Sequence, residues 1–475
     1  MTDFKKLFFP KAVAIVGVNE KPYGGGYFLR CLKSINFDRK LYLFNPRLKG
    51  ENLEGIEVLG SILEVPDEHE IDYVILSVPA SLCASILKDI GKKTIPFVTI
   101  FTSGFSEVGN ADLEEDILNV AKDYNIRIIG PNCLGIYNPK SRLAFSQWHT
   151  TDPGKFGIIS QSGGLSIYMT NMAIYSCGTY ISKTVSIGNQ IDLNVVDFLR
   201  YFALDEQTKI IGLYLENIKS QETGKEFLKI LKRLSFVKKK PVILWKVGFG
   251  ESAKEAIFSH TGGMAGSTRI WQSIAKQTGA ILVQDSFELV TLAMLFNYID
   301  FNRINRNLGI VAVGGGSSIE LTEHMEIFNL KVPKLDSLTI KKFNDLLPGV
   351  NTIIRNPLDL GGSGLLPKIF SKCLTTLDTD PNISIVIFIK PYYYTDDFIN
   401  AVLEAKSKMD KPLICIAPKV MDNIGDYEDK LKFKKKLFEA NIPVFESIEL
   451  TAKALNRMCR FKDIVEKRKN LKTSE

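Results

Sequence analysis

The chain has 475 residues, of which 45% are hydrophobic and 24% charged. At roughly 150 residues per domain this accommodates about three domains, and the composition excludes a disordered, collagenous or disulfide-stapled chain. The net charge of +7 arises from 60 Lys+Arg against 53 Asp+Glu. Basic clusters at 238–240, 434–436 and 467–472 lack aromatic interleaving or a motif, so they read as solvated faces rather than a nucleic-acid surface. The mild excess suits a polyanionic small ligand.

No apolar run reaches the ~18–20 residues that a membrane span needs. The opening, MTDFKKLFFPKAVAIVGVNE, breaks its apolar stretch at Pro10 and Lys11 and then enters a strand-plus-glycine pattern, unlike a signal peptide. Seven scattered cysteines (Cys31, Cys83, Cys133, Cys177, Cys373, Cys415 and Cys459) show neither C-x-x-C nor zinc spacing and fit reduced thiols. A cytoplasmic location is expected, with no membrane and no nucleic-acid partner.

Residues 12–17 (AVAIVG), 156–164 (FGIISQSGG) and 308–316 (LGIVAVGGG) are short apolar runs that end in glycine ahead of a helical pattern. A continuous apolar run is the signature of a parallel strand buried on both faces, and a glycine turn into a helix opens a βα unit. Three such openings predict three doubly wound α/β domains. In the first, strands are expected at 41–44, 73–78, 97–101 and 127–129, with helices at 81–90 and 111–124. In the second, strands at 181–186, 210–215 and 241–246 alternate with helices at 194–203 and 224–234. In the third, strands at 384–389 and 412–417 alternate with helices at 395–408, 427–440 and 448–461. Residues 138–154 and 300–307 are polar and read as linkers. The last dozen residues are charged and read as frayed.

Ligands of parallel sheets sit at the carboxyl ends of strands, where helix N-termini offer free N–H groups. The first glycine turn (AIVGVNEKPYGGG) fits neither G-x-G-x-x-G nor a P-loop, but Gly17 and Gly26 are placed for a backbone to approach a phosphate. The second strand ends Phe44-Asn45-Pro46-Arg47, and an arginine there suits a phosphate better than a ribose diol. Val78-Pro79 and Thr102-Ser103-Gly104 reach the same cleft. In GPNCLG, Asn132 could aim its amide at a carbonyl or phosphate, and Cys133 is a weak candidate nucleophile. Ser162 with the N–H groups of Gly163 and Gly164 forms either an anion site or simply a capped helix start.

Four histidines occur. His69 (in PDEHE) and His324 read as surface residues, and His149 lies in a linker. His260 stands in SHTGGMAG, among small residues on a loop where an imidazole can be reached from several sides. Glu216 closes the apolar strand IIGLYLE. It could hold one imidazole nitrogen and leave the other to attack phosphorus, or it could merely cap a neighbouring helix.

Taken together, AVAIVGV, LYLFNPR, IDYVILSVPAS, FTSGFSE, RIIGPNCLGIYNP, GKFGIISQSGG, SIGNQIDLN, LYLENI and SHTGGMAG occur in that order over nearly the whole chain. The sequence thereby resembles the NDP-forming acyl-CoA synthetases, which include succinyl-CoA synthetase and ADP-forming acetyl-CoA synthetase, and is most similar to the α-type subunit of the acetyl-CoA branch. The resemblance implies a Rossmann-like CoA-binding domain over 1–145, then two flavodoxin-like domains over 150–302 and 306–465. It implies that Gly17, Asn19, Gly26, Arg47 and Pro79 line the CoA cleft, to which Asn45, Val78, Thr102 and Asn132 are added from the strand ends. His260 would carry the phosphoryl group, Glu216 would orient it, and Ser162, Gly163 and Gly164 would hold it.

The implied chemistry converts acyl-CoA and phosphate to acyl phosphate and CoA, phosphorylates the histidine, and passes the phosphoryl group to ADP or GDP, reversibly. CoA is a substrate. The nucleotide and Mg²⁺ would be held mainly by a partner with an ATP-grasp module, in an αβ or α₂β₂ assembly. No metal site is expected on this chain. Two turns differ from the family's usual form: Gly24-Gly25 stands where many relatives carry a lysine, and VGGGSSIE stands for an N-A-G-G-P type turn. The alternatives are a non-catalytic CoA or acyl-CoA sensor, and an acyl transferase that uses no nucleotide.

Overall fold

The computed structural model describes residues 3–66, 70–250, 267–349, 351–390, 395–418 and 424–472. The chain forms two compact units, Met1–Leu289 and Val290–Glu475. The first unit holds two sheets and the second holds one.

The first sheet comprises β1 (Ala12–Val16), β2 (Lys40–Phe44), β3 (Asn52–Leu53), β4 (Ile56–Leu59), β5 (Tyr73–Leu76), β6 (Phe97–Ile100) and β7 (Arg127–Ile129). Their order is β3-β4-β2-β1-β5-β6-β7, all parallel except the β3–β4 pair. Ala14 at the centre of β1 aligns with Tyr42 of β2 and Val74 of β5. All five residues of β1 are buried because helices cover both faces, as its continuous apolar run requires. The chain leaves β1 towards β2 on one side and later returns to β5 on the other. The switch point therefore lies between the carboxyl ends of β1 and β5.

The second sheet comprises β8 (Gly135–Tyr137), β9 (Phe156–Ser160), β10 (Ile181–Ser186), β11 (Ile210–Leu215), β12 (Val242–Lys246) and β13 (Ile281–Val283). The order is β13-β12-β11-β9-β10-β8, with only β8 antiparallel. Its switch point falls between β9 and β11. The third sheet, in the second unit, comprises β14 (Leu308–Ala312), β15 (Leu358–Asp359), β16 (Ile385–Ile389), β17 (Leu413–Ile416) and β18 (Val444–Phe445), in the parallel order β15-β14-β16-β17-β18. Its core joins Val311, Val386, Phe388 and Cys415 to Phe370, Phe398 and Phe433 of the covering helices. The protein is thus α/β with three doubly wound sheets.

Three expectations are corrected. Residues 138–154 are not a solvated linker: Asn138, Ser141, Ser146 and His149 are buried. The His149 ring lies 3.9 Å from that of Tyr137 and 4.8 Å from that of Phe145, and the Asn138 amide donates to the Phe8 carbonyl at 2.7 Å. The charged C-terminus is not frayed up to Lys472, because one helix runs from Ile448 to Lys472. The strand expected over 73–78 ends at Leu76, which leaves Ser77, Val78 and Pro79 as the turn into helix Ala80–Lys92. No helix among the described residues is long and apolar enough to cross a membrane.

Candidate active site

At the first switch point the glycines are fixed by close packing. Gly17 has φ +87°, and a Cβ there would lie 2.1 Å from the Ser77 carbonyl oxygen at the end of β5. A Cβ on Gly26 would lie 2.1 Å from the Asn19 carbonyl oxygen. These contacts draw helix Gly25–Ser34 tightly onto the end of β1, and they account for both glycines before any ligand is considered. Asn19 folds the turn by accepting from the Lys21 N–H at 2.9 Å. Asn45 joins β2 to β1, donating to the Val18 carbonyl at 2.7 Å and accepting from the Arg47 N–H at 3.0 Å. Arg47 is exposed at that strand end. The Thr102 hydroxyl donates to the Val78 carbonyl at 2.5 Å, Pro79 caps helix Ala80–Lys92, and the Asn132 N–H donates to the Thr102 carbonyl at 3.0 Å. The cofactor-binding candidates thus gather on the carboxyl ends of β1, β2, β5, β6 and β7.

The turn after β7 connects this cleft to the second sheet. It combines a cis Gly130–Pro131 bond with Asn132 at φ +58°. It docks on residues 187–193: the Asn189 N–H donates to the Pro131 carbonyl at 2.9 Å, and the Ile191 N–H to the Gly130 carbonyl at 3.1 Å. Arg127 grips both oxygens of Asp192, and Asp192 also accepts from the Ile128 N–H at 2.8 Å. Glu107 accepts from the Gly104 N–H at 2.7 Å and from the Asn189 amide at 2.6 Å. Cys133 is buried, and burial pushes its thiol up to about 12, so it is no nucleophile at neutral pH.

At the second switch point, Ser162 caps the nine-residue helix Gly163–Asn171, its hydroxyl accepting from the Leu165 N–H at 3.3 Å. Ser160 secures the turn by donating to the Ser162 carbonyl at 2.8 Å. A Cβ on Gly164 would meet nothing within 4 Å, so the helix N-terminus is open on that side. Gly163 faces the connecting turn, its Cβ position lying 3.2 Å from the Leu134 side chain, while the Leu134 N–H donates to the Ser186 hydroxyl at 3.1 Å. The two clefts are therefore adjacent and share the 130–135 turn.

Glu216 lies just past the end of β11 and is 4% exposed; it accepts from the Tyr214 hydroxyl at 3.2 Å. Gln161 braces this end, its carbonyl oxygen accepting from the Glu216 N–H at 2.6 Å and the Asn217 N–H at 3.0 Å. Ser162 and Glu216 thus follow the two neighbouring strands of the switch point, each joined to Gln161 through backbone or side chain. His260, with Gly262 and Gly263, lies outside the described residues, as does His69. The sequence reading missed Gln161. A polar residue closing an apolar strand was the available signal, but a single sequence does not show that its side chain reaches the next strand. Among the described residues, no group of three or more His, Cys, Asp or Glu side chains could hold a metal ion.

Residues 11–139 match the model of a CoA binding domain, and residues 153–296 match that of the succinyl-CoA ligase like flavodoxin domain. With the relatives that follow, this places the chain in the family of ADP-forming acyl-CoA ligases. It is 30% identical over 466 residues to the alpha subunit of ADP-forming acetate–CoA ligase II of Pyrococcus furiosus, covering 96% of each chain. It is 39% identical over 363 residues to the ADP-forming acetate–CoA ligase of Methanocaldococcus jannaschii; the match covers 76% of this chain but 49% of that protein, so the chain spans about half that relative's length. The structure superposes on the dinucleotide forming acetyl-coenzyme A synthetase 1 of Ca. Korarchaeum cryptofilum, solved with phosphate and ADP, at a TM-score of 0.86 and 26% identity, covering 98% of this chain and 99% of that one.

Proposed function

We propose that the chain is the α-type component of an NDP-forming acyl-CoA ligase, with a CoA-binding domain over 1–145, a ligase domain over 150–302 and a second flavodoxin-like domain over 306–465. CoA lies along Gly17, Asn19, Gly26, Asn45, Arg47, Val78, Pro79, Thr102 and Asn132, with its thiol directed to the 130–135 turn. Phosphate at Ser162, Gly163 and Gly164 attacks the thioester carbonyl. The C–S bond breaks, and acyl phosphate and CoA form. The N–H groups of the helix end hold the dianion.

His260 then attacks phosphorus. The N–P bond forms as the P–O bond to the acyl group breaks, and the electron pair leaves with the carboxylate. Glu216 holds the other ring N–H and supports the positive charge that develops on the imidazole. The phosphohistidine passes its phosphoryl group to ADP or GDP on an ATP-grasp partner, in an αβ or α₂β₂ assembly, where Mg²⁺ accompanies the nucleotide. A relative that is named as an alpha subunit and matches end to end supports this division of labour.

One observation carries the reading: Leu134, on the turn that closes the first cleft, has its side chain 3.2 Å from where a Cβ of Gly163 would stand, and its N–H donates to the Ser186 hydroxyl at 3.1 Å. A thioester carbonyl bound over that turn lies beside the anion site, as phosphorolysis requires. The test is to incubate the chain alone with phosphate and a series of short acyl-CoA thioesters. Free thiol and acyl phosphate are expected from at least one of them. CoA binding without phosphorolysis of any thioester, with or without an ATP-grasp partner, would overturn the reading in favour of a CoA sensor.

A further inference from the structure

The third sheet carries a cavity of about 190 Å³ on the edge opposite its strand carboxyl ends, away from where parallel sheets take their substrates. Pro412, just before β17, and Asn441, just before β18, both line it, and all its walls belong to the second unit. Ile299, Pro412 and the Tyr298 ring form an apolar wall. Tyr298 is held by stacking on Phe438, with ring centres 5.7 Å apart and planes 10° apart. Two cations share the same space. Arg303 ends the turn Phe301–Arg303, and Lys406 stands in the last turn of helix Asp396–Lys408. Among the described residues, Arg303 donates only to the Asp410 carbonyl at 3.3 Å and Lys406 only to the Lys411 carbonyl at 3.4 Å, and neither forms an ion pair. The two carboxylates at the cavity leave them unpaired. Asp300 accepts from the Asn302 N–H at 3.0 Å and from its amide at 2.7 Å, while Asp410 is exposed at the rim. Burial lowers the pKa of Lys406; Asp378 and Asp410 oppose that fall and Arg303 deepens it, so the two cations stand near enough to repel. Like charges on one partly buried wall are costly unless an anion lies between them.

We propose that this cavity binds a small carboxylate with a short apolar body: the carboxylate lies between Arg303 and Lys406, and the apolar body rests against Tyr298, Ile299 and Pro412. A guanidinium fork matches the two oxygens of a carboxylate, and the ammonium adds a second donor. A phosphate dianion offers nothing to the apolar wall and brings a second charge to face Asp300 and Asp410, so the organic monoanion is preferred. The site uses no residue of the two clefts described above, and the inference rests on no step of the relay.

The test titrates the full chain with isobutyrate and reads Kd by saturation-transfer NMR, in wild type, Arg303→Gln, Lys406→Met and Asp410→Asn, with inorganic phosphate as competitor. Wild type is expected to bind isobutyrate, and each cation variant to bind it about tenfold more weakly. Asp410→Asn, which removes an opposing charge, is expected to bind it more tightly. Phosphate is expected to displace isobutyrate only at concentrations above the Kd of isobutyrate itself. Urea midpoints of the unliganded proteins report folding, and the exposed Asp410 position keeps the test decisive should a cation variant fail to fold. No saturable binding to wild type, binding unchanged in both cation variants, binding weakened by Asp410→Asn, or phosphate bound more tightly than isobutyrate would each overturn the proposal.

Discussion

His149 offers a quantitative test of the packing. It is 7% exposed, and neither ring nitrogen has a hydrogen-bond partner among the described residues. Burial lowers its pKa from 6.5 to about 3. The folded chain therefore takes up no proton at this ring between pH 6.5 and 3, whereas the unfolded chain does. Stability is fully present above pH 6.5 and is lost as pH falls from there towards 3. Between pH 7.5 and 5.0 this linkage costs about 2 kcal/mol, from 1.36 kcal/mol for each unit by which pH lies below the unfolded pKa. His149→Phe keeps a ring against Tyr137 and Phe145 and removes the titration. Urea denaturation of both proteins at the two pH values isolates the effect, because other titrating groups cancel in the comparison. The variant should gain about 2 kcal/mol on wild type in going from pH 7.5 to 5.0. Equal acid losses would show that the imidazole takes up protons in the folded state and would refute the buried, unpaired site.

Three further outcomes follow from the geometry. Lys183 is buried and held by Asp205 at 2.7 Å, with its ammonium 5.8 Å from the Phe8 ring and 5.7 Å from the Tyr201 ring. Asp205→Ala should cost about 3–5 kcal/mol in urea denaturation, and adding Lys183→Met should recover most of it. Gln161→Ala leaves two buried N–H groups without their acceptor; it should cost about 1–3 kcal/mol for each and lower phosphorolysis, and Gln161→Glu, which keeps a carbonyl-type oxygen, should lose less. Gly17→Ala meets both a left-handed φ and the Ser77 carbonyl; it should abolish CoA binding by calorimetry and destabilise by roughly 1–3 kcal/mol or more, while Gly164→Ala, in open space, should leave thermal stability unchanged or raised.

The three sheets were legible because β1, β9 and β14 are apolar runs long enough to be buried on both faces, each closed by glycine. Strands of two residues such as β15 and β18 carry no period of their own; their neighbours in the sheet define them. The C-terminal helix is expected over 448–461, with the charged last dozen residues frayed; in the structure that helix continues to Lys472. Its charges pair along the helix, Lys462 with Glu466 at 3.7 Å, and Lys462 also donates to the Ile304 carbonyl at 2.7 Å. Residues 138–154 pack for reasons their polar composition does not show: the Asn138 amide is satisfied by the distant Phe8 carbonyl, and the His149 ring is buried against Tyr137 and Phe145. At the site, the strand-end positions of Glu216 and Ser162 could be read from the apolar runs before them. The bracing by Gln161 arises only from the register of β9 and β11, which a single sequence does not encode locally. His260 has its expected role from the motif alone.

The most direct test maps the phosphoryl group itself. After the chain is incubated with labelled acetyl phosphate, acid-labile and alkali-stable label should be recovered on the peptide bearing His260. It should be absent in His260→Ala and strongly reduced in Glu216→Gln. Label on another residue, or label unchanged in His260→Ala, would contradict the account.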